Sequence, residues 1–98
     1  MQLEQTRREI DDIDARIFGL LDQRAKIVRE IGEMKLRAGL PILDWRREAE
    51  MILRAAQNNP GTLSNDAITR IYRAILRESR ELQKELAESI SANGVAQP

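Results

Sequence analysis

Five cationic or hydrogen-bond-donating side chains interrupt apolar helical stripes in this chain: Arg7, Arg24 and Lys35 in its first half, Ser79 and Gln83 towards its end. Followed at alternating steps of three and four, the first stripe reads Leu3, Arg7, Ile10, Asp14, Ile17, Leu21, Arg24, Val28, Ile31, Lys35. Arg24 and Lys35 lie about three full turns apart at 3.6 residues per turn, so they point the same way. A lone cation on a buried face is costly, so these positions call for anions, from a partner helix or from a ligand. Ser79 and Gln83 form an i, i+4 pair and are surface neighbours on their own helix. The run Asp44-Trp45-Arg46-Arg47-Glu48 adds a charged helix start. A pocket lined by this set would bind a small dianion, with arginine forks on carboxylates and lysine as a point charge.

Composition narrows the chemistry. The chain has neither histidine nor cysteine, which removes the commonest general base, the commonest metal ligand and the Ser-His and Cys-His nucleophile pairs. A reaction catalysed by these residues must run on electrostatics and positioning. Sixteen basic residues balance sixteen acidic ones, so no global field draws the chain to nucleic acid or anionic lipid. The only aromatics are Phe18, Trp45 and Tyr72, too few for a base-stacking platform. No apolar run suits a bilayer, and the charged N-terminus carries no signal-peptide pattern. The expected compartment is the cytoplasm.

Three helices must position the polar set, and the fold class expected is all-α. The first runs from Leu3 to about Ala38, where Gly39 suits a left-handed cap and Pro41 blocks continuation. Gly19 and Gly32 inside it read as points of close helix packing. Asp44 reads as the N-cap of a second helix, Trp45 to about Gln57, with Trp45, Ala49, Ile52, Leu53 and Ala56 as its buried face. After the Asn58-Asn59-Pro60-Gly61 breaker, a third helix begins near Asn65 with Ser64 as its cap. The domain is expected over residues 1–90, with 91–98 as a disordered tail. Thirty-odd residues of first helix span roughly 50 Å, whereas a compact chain of this length has a radius of gyration of about 13 Å. A second copy covering that helix is the simplest way to bury its apolar residues, so an interlocked homodimer is expected.

The polar set, taken in order, resembles the AroQ-type, all-helical chorismate mutases. Arg7 precedes Ile10, Ile13 and Asp14. Leu20-Leu21-Asp22-Gln23-Arg24 and Ile31-Gly32-Glu33-Met34-Lys35 follow, then Pro41 to Glu48, then Ser79 with Gln83. The likeness runs from about Gln5 to Gln83. It implies an intertwined homodimer that converts chorismate to prephenate by a [3,3] rearrangement, with no cofactor and no metal. It also implies roles: Arg24 and Arg47 on the substrate carboxylates, Arg7 reaching in from the other subunit, and Ser79 assisting at a carboxylate. Lys35 and Gln83 would donate to the ether oxygen, and Glu48, with the backbone around Asp44, would hold the ring hydroxyl. Trp45 departs from the pattern, since many members carry proline there.

Each residue also has a plainer reading. Arg7 and Arg24 can snorkel or pair across a dimer seam, Lys35 can serve the helix dipole, and Ser79 with Gln83 can fix helix register. Arg46, Arg54, Arg70, Arg73, Arg77 and Arg80 read as surface charge. Two other functions fit the same resemblance: an isochorismate pyruvate lyase, in which the acidic Glu48 position would be lost, and a non-catalytic dimerisation or regulatory module.

Overall fold

No proline and no breaker cluster lies between Gln2 and Ala38, and the chain there forms one helix. The computed structural model describes residues 1–94, which fold as α1 (Gln2–Ala38), α2 (Trp45–Gln57) and α3 (Asn65–Gly94). None of the described residues is in a strand. No helix among them is long and apolar enough to cross a membrane.

The helix ends follow their local chemistry. Gly39 takes the left-handed conformation at φ 66°, and the amides of Gly39 and Leu40 return to the carbonyls of Leu36 and Lys35. This double closure satisfies carbonyls the last turn would otherwise leave open. Asp44 Oδ1 accepts the Arg47 amide at 3.0 Å, and Ser64 Oγ accepts the Ala67 amide at 3.0 Å, so both expected N-caps form. α3 continues to Gly94, one turn beyond the tail boundary expected at Ile90. Ser91 and Asn93 are indifferent helix formers, but Ala92 is of the best helix-forming type and none of the three stops a helix already propagating. The remainder of the expected tail, 95–98, lies outside the described residues.

α3 packs along the C-terminal half of α1, and α2 packs on α3 rather than on α1. Val28 and Leu76 are the buried apolar side chains of this seam, with Gly32 buried beside them. A methyl group on Gly32 would lie 3.1 Å from Gln83 Cγ and 3.3 Å from Leu86 Cδ2, so glycine is what lets α3 approach there. Gly19 is different, since nothing of the chain lies within 4 Å of where its Cβ would be. Thirteen residues of helix turn it about 140° away from Gly32, off the face that α3 covers. The packed face of α2 also departs from expectation. Trp45, Ala49 and Leu53 are exposed, whereas Glu48, Met51, Ile52, Ala55 and Ala56 are half-buried. The face turned to α3 therefore begins at a carboxylate.

The shape is long and thin, 65 × 29 × 15 Å, with a radius of gyration of 17.7 Å. α1 alone, at 37 residues, spans roughly 55 Å. Its N-terminal half carries apolar residues that no part of the described chain covers. Ile10 is 54% exposed, although it lies five full turns before buried Val28 and faces the same way.

The contacts at Gly32 and Leu76 set the expected cost of changing them. Leu76→Ala should destabilise the fold by roughly 2–5 kcal/mol. Gly32→Ala should do so by about 1 kcal/mol net, because overpacking of the seam by the added methyl, roughly 1–3 kcal/mol, outweighs a helix-propensity gain of up to about 1 kcal/mol. Both are read from urea unfolding at fixed protein concentration, and unchanged midpoints would contradict this packing.

Candidate active site

The bend that ends α1 folds the following residues back over its last turn, and the Lys35 ammonium donates to the Ile42 carbonyl at 2.8 Å. That bond fixes Lys35 beneath the connector, on the side where α2 begins. Two turns earlier Val28 presents its carbonyl to α3, and the buried Gln83 amide donates to it at 3.1 Å. One more turn back, Arg24 Nη1 donates to Ser79 Oγ, and Ser79 in turn donates to the Ile75 carbonyl at 2.9 Å. The Arg24 guanidinium lies over the Tyr72 ring, 6.0 Å from its centroid, near the outer limit of cation–π attraction. Two rungs between α1 and α3, and one bond from α1 to the connector, thus hold Arg24, Gln83 and Lys35 in line.

These residues face one cavity of about 220 Å³. Its polar lining comprises Arg24, Lys35, Asp44, Arg47, Glu48, Ser79, Arg80 and Gln83, on an apolar floor that includes Val28, Ile31 and Leu76. Seven of the eight residues singled out in the sequence therefore meet at one place. The eighth does not: Arg7 is exposed on α1, about 25 Å along the helix from Arg24. Trp45 begins α2 at 73% exposure and does not line the cavity, so its departure from the family pattern leaves the lining intact. Arg80 corrects the sequence reading. Instead of being surface charge, it pairs with Glu48 across the α2–α3 seam. Residues 76, 79, 80 and 83 share one helical face, and that spacing was the available signal.

The lining holds four cations against two carboxylates, a net charge of two positive. Each bonded donor keeps capacity to spare, because an ammonium has three N–H groups, a guanidinium five and a side-chain amide two. One N–H of each is used by the fold, and the rest remain for an anion. Beyond the Arg24–Ser79 rung lies an apolar groove of about 330 Å³, lined by Leu21, Ala25, Ala74, Ile75 and Leu82. Arg24 and Ser79 line both spaces.

The arrangement can now be set beside known proteins. The family model for chorismate mutase type II matches residues 6–84. The chain belongs to that family. It is 37% identical over 89 residues to a bifunctional chorismate mutase/prephenate dehydratase of Aquifex aeolicus, a match covering 87% of this chain and 25% of that protein. It is 28% identical over 89 residues to the chorismate mutase of Methanocaldococcus jannaschii, covering 89% of each. A chorismate mutase structure from Thermus thermophilus superposes with a TM-score of 0.84 at 31% identity, covering 86% of this chain and 96% of that one. The chain thus spans about a quarter of the bifunctional relative and nearly all of the shorter proteins.

The lining predicts a preference for doubly charged anions. A small cyclic dicarboxylate should raise the thermal midpoint by mass action, and the matching monocarboxylate should raise it much less at equal concentration. Equal shifts in a thermal melt would contradict a lining with net charge of two positive.

Proposed function

We propose that the chain is a chorismate mutase, converting chorismate to prephenate by a [3,3] rearrangement in a site completed by a second copy. The convergence of Arg24, Lys35, Arg47, Glu48, Ser79 and Gln83 on one cavity carries this reading, in a chain without histidine or cysteine. The rearrangement transfers no proton to the enzyme and forms no covalent adduct, so such a site is sufficient. Its transition state breaks the ether C–O bond ahead of C–C formation and places negative charge on the ether oxygen. Lys35 and the free N–H of the Gln83 amide would donate there and bind that state better than the ground state. Arg24 and Arg47 would hold the two carboxylates, with Ser79 assisting, so that the extended substrate is kept in its compact reactive conformer. Glu48 would accept the ring hydroxyl, close to the backbone at Asp44.

The second copy answers both the exposed stripe and the isolated arginine. The apolar groove beside the Arg24–Ser79 rung suits the uncovered N-terminal half of a partner's α1. A partner helix laid there would carry its Arg7 towards the carboxylate held by Arg24. Two interlocked chains would then have two sites, each closed by an arginine from the other. The acidic Glu48 favours the mutase over an isochorismate pyruvate lyase, in which that acidic position is expected to be lost.

Incubation of the purified chain with chorismate should remove its absorbance and yield prephenate. Arg24→Ala should lower kcat/KM by at least about 100-fold, with the hydrodynamic size unchanged. Release of pyruvate, unchanged chorismate, or a fully active Arg24→Ala protein would each contradict the assignment.

A further inference from the structure

The resemblance assigns nothing to Arg80, yet its guanidinium lies 2.5 Å from Glu48 Oε1. The bond joins α3 to the first turn of α2, across 32 residues of sequence. Both side chains are largely shielded, at 33% exposure for Arg80 and 16% for Glu48, and both line the cavity. Among the described residues, Arg80 is the side chain that Glu48 pairs with, and the bond engages Oε1.

That pair resolves a conflict inside the proposed site. A carboxylate that accepts a ring hydroxyl must sit beside a substrate carrying two negative charges, and unscreened it would repel that substrate. It cannot be exchanged for a neutral apolar group, because the hydroxyl would then lose its acceptor. A guanidinium bonded to one carboxylate oxygen cancels most of the local repulsion and leaves the other oxygen free to accept. It also fixes the rotamer of a flexible side chain, so that the free oxygen has one direction. The charge balance leads to the same conclusion: without Arg80 the lining would keep a net charge of only one positive against a dianion.

We propose that Arg80 is a positioning residue that acts through Glu48. It neutralises and orients this carboxylate so that the cavity recognises the ring hydroxyl of its dianionic substrate. The inference rests on the reading of the cavity as a chorismate site.

A double-mutant cycle tests it, with kcat and KM measured for the wild type, Arg80→Gln, Glu48→Gln and the double variant in 0.15 M salt. That ionic strength mutes the long-range field of the removed charge. Arg80→Gln is expected to lower kcat/KM about tenfold when Glu48 is present and less than about threefold in the Glu48→Gln protein, the coupling expected of residues in contact. Arg80→Lys should recover part of the loss. Equal losses in both backgrounds, or no loss at all, would overturn the proposal.

A second readout needs no turnover: calorimetric binding of a stable oxabicyclic dicarboxylic acid, with and without the ring hydroxyl. Arg80→Gln should weaken the hydroxylated compound about tenfold more than the deoxy compound, the size of coupling measured between groups in contact. Equal weakening of both would also overturn it. A wild-type chain that leaves chorismate unchanged would remove the proposed function and this role with it. An active wild type with an uncoupled Arg80 would remove this role alone.

Discussion

A cation held in an apolar helical seam must be given an anion or a bonded neighbour, and this requirement organises the chain. Arg24, Lys35 and Arg80 are each half-buried, and each is tied by one bond to a side chain or carbonyl across a seam or connector. Those bonds keep the cations from swinging into water while leaving most of their donors free. A half-buried charge with spare donors is an unfinished interaction; Arg80 has its anion in Glu48, and a dianion would complete those of Arg24 and Lys35 together. Glycine at position 32 serves the same end, because it lets α3 approach until Gln83 can reach the Val28 carbonyl.

The second constraint is length. A helix of 37 residues is too long for a chain of this size to cover, and the buried seam is confined to its C-terminal half. The uncovered half and the site are linked, because the groove beside Arg24 borders the cavity directly. On the proposed reading, burial of the exposed stripe and delivery of Arg7 are one event. Folding, assembly and site completion would then depend on the same helix, and a loss of dimer would be a loss of both sites.

Much of this was legible in the sequence because its signals are local. Gly39, Asp44 and Ser64 announce helix boundaries through the backbone conformation or side-chain bond each can supply, and α1 ends, and α2 and α3 begin, where those residues imply. The in-stripe polar residues were also legible, since a charge in an apolar row stands out before its partner is known. Arg80 was not. It lies in the run Arg77-Glu78-Ser79-Arg80-Glu81, where charge is unremarkable, and its meaning depends on which face of α2 lies opposite. That face was misread for a related reason: Trp45 and Leu53 look like core by residue type. The packed side is instead set by Glu48, Met51 and Ala55, which share a helical face and of which only the second is large and apolar. The end of α3 was placed a turn early because Ser91 and Asn93 weaken a helix without stopping one, and Ala92 between them favours it.

The central claim is that two chains jointly build each anion site, and mixing inactive subunits tests it most directly. Arg7→Ala and Arg24→Ala proteins would be combined under conditions that exchange subunits, and chorismate turnover measured. In the heterodimer one site has both arginines and the other has neither, so random exchange should restore about one quarter of the wild-type activity. Activity no greater than that of the two variants assayed separately would contradict a shared site.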